Sequence, residues 1–147
     1  MNNKIKSISV EYLIPIVVFL DLITAFTLEY FAPNNSNNHQ FPSILEEILL
    51  AIILAPLVET IIFQFLLLRL LQKYVKYIYI QIFLSALVFG LAHCYSISYV
   101  IKAFLSGVLY STLFIIVEKR GKNGFLYVLI SHTMYNIIIS ILNHSMF

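Results

Sequence analysis

Long apolar runs separated by short polar clusters fill this chain, and the run lengths predict helices that cross a bilayer. Five are predicted, over residues 10–31, 44–71, 77–93, 99–117 and 125–142. About 20 apolar residues suffice to cross the hydrocarbon, where a helix satisfies its own backbone hydrogen bonds. The first run follows a short polar start with Lys4 and Lys6, but it is long and lacks a small-x-small cleavage site, so a retained helix is expected. Residues 32–43, APNNSNNHQFPS, are rich in side chains that turn or solvate the backbone; an exposed loop is predicted there, with His39 in water. Charge and glycine together, from Glu118 to Gly124, make the sharpest break.

Composition agrees that the solvent is lipid. The chain is 61% hydrophobic and 11% charged with a mean hydropathy of +0.91, whereas a soluble domain carries about 25% charged residues. The expected fold is all-α, a polytopic transmembrane bundle forming a single integral-membrane domain over residues 1–147. A net charge of +2 is too small to point to nucleic acid, and the lone Cys94, read as structural, excludes an intrachain disulfide. In the five-span arrangement Lys4, Lys6, Arg69, Lys73, Lys76, Lys119, Arg120 and Lys122 share one side, while Glu29, Glu46 and Glu47 lie on the other. The positive-inside rule then places the N-terminus in the cytoplasm and the C-terminus outside the cell membrane. Lys102 does not fit this pattern and is expected to snorkel towards a helix end.

Between Glu47 and Arg69 the second span holds one charged residue, Glu59. A carboxylate at the centre of a spanning helix costs roughly 2.5–3.5 kcal/mol on insertion scales, so it is expected to face protein or a wet cavity. Asp21 interrupts the first span and is read as a structural interior group. Ser85, Ala86 and Gly90 on the third span, and Gly107 and Ser111 on the fourth, form small-residue faces that allow close helix packing. His132, Asn136 and Ser140 are spaced by four and so line one helical face, which must face protein. Glu59 and His132 each lie ten positions from a basic residue, Arg69 and Lys122, or roughly 15 Å deep. His93 lies seventeen positions from Lys76, roughly 25 Å, and is expected to need a tilted or interrupted third helix to join them. One Glu, two His and one Asn on three apolar helices are least costly to desolvate when they converge on one cavity.

Ala55-Pro56-x-x-Glu59-Thr60-x-x-Phe63-Gln64, then Phe89-x-x-x-His93, then His132-x-x-x-Asn136 resemble, in order and spacing, the three motifs of the CPBP family of CAAX-processing and bacteriocin-processing membrane peptidases. The resemblance covers about residues 45–141. It implies an intramembrane glutamic endopeptidase that acts on a peptide or membrane protein, a prenylated CAAX peptide being one possibility. By position Glu59 and His93 would activate water, and His132 and Asn136 would stabilise the oxyanion. The chemistry is sound in itself: a carboxylate drawn out of water is a better proton acceptor, and imidazole and amide donors can meet developing negative charge.

The family's first motif normally carries a second glutamate and an arginine, where this chain has Thr60 and Gln64; a neutral pair able to hydrogen-bond is expected in their place. No cofactor is expected. Zn²⁺ on Glu59, His93 and His132 ranks lower, since no HExxH helix is present. The alternatives are an inactive relative serving as a binding or bacteriocin-immunity module, and a small transporter or channel using the same buried groups, for which paired broken helices are lacking.

Overall fold

The structure, a computed structural model, describes residues 9–31 and 41–145. Lys4, Lys6 and most of the predicted loop, with His39, lie outside the described residues. Each predicted span is a helix: α1 (Leu13–Phe31, entered through a 3-10 turn at Val10–Tyr12), α2 (Ile44–Tyr74), α3 (Ile78–Ala92), α4 (Ile97–Lys119) and α5 (Gly124–Ser145). The chain is an all-α, multi-pass membrane protein in which α1, α2, α4 and α5 are long and apolar enough to cross a bilayer and α3 is a shorter apolar helix. Among the described residues there is no strand.

The bundle is built around α4. Half of its apolar window is buried, against 17–22% for the other three long helices, whose remaining apolar surface is left to face lipid. Tyr110, Leu113, Phe114 and Val117 of α4 meet Val17 of α1, Leu68 of α2 and Val128 of α5 in one apolar core. Asp21 is fully buried beside this core and accepts hydrogen bonds from Ser106 Oγ and Tyr110 OH, both at 2.5 Å. This is the interior structural role expected for it, and it fastens α1 to α4.

Small residues bring α3 and α4 together. A Cβ added to Gly107 would stand 2.9 Å from the Ala86 Cα, and one on Gly90 would stand 3.0 Å from the Val100 carbonyl. Ser111 Oγ donates to Ser85 Oγ at 3.1 Å, which in turn donates to the Phe63 carbonyl of α2 at 2.8 Å. Without a hydrophobic drive between helices in lipid, such close backbone approach carries much of the association. Gly107→Val is expected to lower stability by about 1–3 kcal/mol through overpacking. An earlier thermal midpoint in detergent checks this; an unchanged midpoint would show that the α3–α4 contact yields freely.

The turns follow from local chemistry. Ser43 and Ser96 cap α2 and α4 by accepting the Glu46 and Tyr99 N–H groups, both at 3.2 Å. Gly121, at φ 72°, ends α4 in a Schellman motif, with Lys122 N–H bonded to the Val117 carbonyl and Gly121 N–H to that of Glu118. Arg69 Nη2 donates to Glu118 Oε2 at 2.5 Å and the Gly124 N–H to Glu118 Oε1 at 3.1 Å, so α2, α4 and the start of α5 are tied at this basic end. At the other end Ser140 Oγ and His144 Nε2 meet the Glu47 carboxylate at 2.6 and 2.7 Å, tying α5 to α2.

The helix α2 departs from α geometry twice, with π segments at Ile48–Leu54 and Thr60–Leu67 on either side of Ala55–Glu59. Pro56 gives a physical reason for the first. It has no N–H to offer and its ring crowds the preceding turn, so the turn widens. The Ala55 N–H reaches back to the Leu50 carbonyl rather than to Ala51. With Pro56 unable to donate, the Ala51 carbonyl is left with neither an α nor a π partner from these two positions.

Candidate active site

Glu59 lies midway along α2, fifteen residues from either end. Its carboxylate faces two imidazoles: Oε1 is 3.5 Å from His93 Nε2 and Oε2 is 3.7 Å from His132 Nε2. The three come from α2, the end of α3 and α5, and the mismatch in depth expected for His93 does not arise. Arg69 is not the end of α2, which runs on to Tyr74; residues 75–77 then turn the chain, with Gln81 Nε2 donating to the Val75 carbonyl at 2.6 Å. Glu59 and His93 lie seventeen residues either side of Lys76 in that hairpin, and therefore at one level. Phe63 and Phe89, thirteen either side, are in edge-to-face contact at 5.2 Å between ring centres.

His93 is the residue at which α3 stops. Its backbone N–H bonds to the Gly90 carbonyl, so the Phe89 carbonyl, one of the orphans of a helix end, is free to take the side chain. Nδ1 lies 2.7 Å from it. A carbonyl can only accept, so Nδ1 carries a proton, and Nε2 is the nitrogen turned towards Glu59. This is what the Phe89-x-x-x-His93 spacing achieves.

His132 is held by packing. Its ring lies 4.8 Å from that of Tyr110 at an angle of 30°, and Phe89 closes another side at 6.3 Å. Since Tyr110 donates to Asp21, the buried carboxylate of α1 orients the ring against which His132 rests. His132 Nδ1 is buried with no partner among the described residues. A buried N–H without an acceptor is costlier than a buried lone pair, which favours the tautomer with the proton on Nε2, facing Glu59.

Asn136 lines the same cavity one turn further on, but it does not point only inward. Its Nδ2 donates to the Ala51 carbonyl at 2.7 Å, the acceptor that the π segment and Pro56 leave open in α2. With Ser140 bonded to Glu47, all three polar residues of the α5 stripe face α2, as the four-residue spacing requires. The cavity has a volume of about 420 Å³ and reaches from Glu59, His93 and His132 past Asn136 to Glu47.

Other positions differ from expectation. Thr60 and Gln64 are fully buried, and Thr60 Oγ1 and both polar atoms of the Gln64 amide have no hydrogen-bond partner among the described residues. The hydrogen-bonded neutral pair is therefore not formed. Cys94 is exposed at the α3–α4 turn, away from any packing role. Lys102 does not reach for the helix end: it lines the cavity, with Nζ 4.9 Å from the centre of the Tyr135 ring and 5.3 Å from that of Tyr99. Sequence reasoning missed Lys102, Tyr99 and Tyr110 as parts of the site. The signal for Lys102 was its failure to fit the charge pattern of the loops.

Two nitrogens 3.5 and 3.7 Å from one carboxylate are longer than good direct hydrogen bonds, and a water that meets both groups lies beside them in the cavity rather than between them. Such a water can give a proton to Glu59 while His93 Nε2 holds it in place. Among the described residues no three His, Cys, Asp or Glu side chains are grouped as a metal ion would need.

Residues 41–138 match the family described as Rce1-like, type II CAAX prenyl endopeptidase. No curated protein and no solved structure matches the chain.

Proposed function

Because the chain belongs to the Rce1-like family of type II CAAX prenyl endopeptidases, we propose that it hydrolyses a peptide bond inside the membrane by glutamate chemistry without a metal. The observation that carries this reading is the pair of imidazole nitrogens facing one carboxylate, at 3.5 and 3.7 Å, on the wall of a cavity that can hold water. Water held in the cavity against Glu59 and His93 adds to the scissile carbonyl as Glu59 takes its proton, and the same proton passes on to the leaving amine. His132 Nε2–H meets the oxyanion, and Asn136 contributes its second N–H, the first being held by Ala51. The substrate is a peptide or membrane protein, with a prenylated CAAX peptide one candidate.

Arg69, Lys73 and Lys76 at the α2–α3 hairpin and Lys119, Arg120 and Lys122 at the α4–α5 turn support an orientation in the cell membrane with the N-terminus cytoplasmic and the C-terminus outside. The rival reading, a binding or immunity module that keeps the fold without the reaction, draws on Thr60 and Gln64, where the chain leaves the family pattern.

The test is cleavage of a candidate precursor by purified protein in detergent, read by mass. Cleavage that a chelator leaves within about twofold is expected, since no ligand set here calls for a metal. Activity lost to a chelator and restored by Zn²⁺ would move Glu59, His93 and His132 to metal ligation; no cleavage of any precursor would favour the binding module.

A further inference from the structure

The ammonium of Lys102 lines the cavity without touching either of the carboxylates, Glu59 and Glu47, that line it too. Among the described residues it makes no ion pair and no hydrogen bond; its contacts are the faces of Tyr99 and Tyr135. Asp21 and Glu29 on α1 act on it through space, but Asp21 already takes hydroxyl hydrogen bonds from Ser106 and Tyr110. Beside Lys102, Tyr135 is 5% exposed and its hydroxyl also lacks a partner. Two donors without an acceptor therefore line the cavity that holds Glu59. Tyr99 links them to the reacting groups, its ring 5.8 Å from that of His93. Lys102 is half-buried on the cavity wall and without a counter-ion, so an anion entering the cavity finds a charged donor there that no group of the protein already occupies.

We infer that Lys102, with Tyr135 beside it, is the receptor for a carboxylate of the substrate, so that the peptide is anchored by its negative charge while a nearby bond lies over Glu59. The chemistry has two sources in a peptide, the terminal carboxylate and an acidic side chain. The inference rests on the peptidase reading for its substrate, yet binding tests it separately from cleavage.

Three versions of one peptide serve as probes: a free C-terminal acid, its C-terminal amide, and the amide carrying one Glu near the end. Affinity is measured on the Glu59→Gln protein, which retains the cavity without the base, and kcat/KM on the wild type. A charge-assisted hydrogen bond gives roughly 10- to 100-fold preference for a peptide that bears the carboxylate. Preference for the free acid assigns the terminus; preference for the Glu-bearing amide assigns the side chain. Lys102→Met should abolish the preference and raise KM with kcat nearly unchanged, and Lys102→Arg should keep most of it. Equal binding of all three peptides, or a preference that survives Lys102→Met, overturns the inference. Selective binding without any cleavage by the wild type would keep the carboxylate site and remove the peptidase reading instead.

Discussion

A Glu59→Gln protein is expected to reach the membrane in wild-type amounts and leave its substrate uncut. The exchange keeps the shape of the side chain and its place midway along α2, opposite His93 and His132. It removes only the capacity to take a proton from water. General-base catalysis is worth about 10²–10⁴ in rate, so cleavage should fall below detection in a co-expression assay read by mass. His93→Ala should be nearly as damaging, because the Phe89 carbonyl fixes the imidazole whose Nε2 faces the carboxylate. Asn136→Ala should retain residual activity, a single oxyanion donor being worth about 10²–10³; because the same amide holds the Ala51 carbonyl, this variant should also unfold earlier. Intact processing by Glu59→Gln would remove the glutamic mechanism whatever the other variants do.

The largest effect on stability is expected from Thr60→Glu. Thr60 and Gln64 are fully buried without hydrogen-bond partners, so a carboxylate introduced there has nothing to pair with. Leaving one charge of a buried pair uncompensated typically costs about 3–5 kcal/mol. Adding Gln64→Arg restores the charge pair of the family's first motif, and the double variant should recover much of the loss. Thermal midpoints of the four proteins in one detergent close the cycle. Equal midpoints for the single and double variants would show that the two positions do not act on each other.

Much of this fold was legible because membrane helices obey a simple rule of length, and the predicted boundaries fall within a few residues of the helix ends. Glu59, His93, His132 and Asn136 could be singled out because each is a polar group that lipid does not tolerate. What could not be read was how neighbouring helices are turned and offset. Spacing by four places His132, Asn136 and Ser140 on one face, yet it does not say that Ala51 and Glu47 stand opposite. Depth counted from Arg69 misjudged α2, since a basic residue marks a helix end only when nothing further on continues the helix; here Arg69 turns to Glu118 instead. The π segments leave no trace in a 3.6-residue pattern, although Pro56 was a signal that some carbonyl in α2 would need a partner from elsewhere. Lys102 was expected at the surface because the length of its stem allows it to reach there. The rings of Tyr99 and Tyr135 hold it inside, and neither is adjacent to it in sequence.

The shortness of α3 bears on how a hydrolase in lipid obtains its second reactant. A helix of 15 residues rises roughly 22 Å, several ångströms less than the hydrocarbon around it. Thinning of the lipid beside α3 is one response to such a mismatch, and it lowers the aqueous phase towards the turn where the helix stops. His93 is at that turn, so a bilayer thinned there would bring water close to the cavity that joins Glu59 to Glu47.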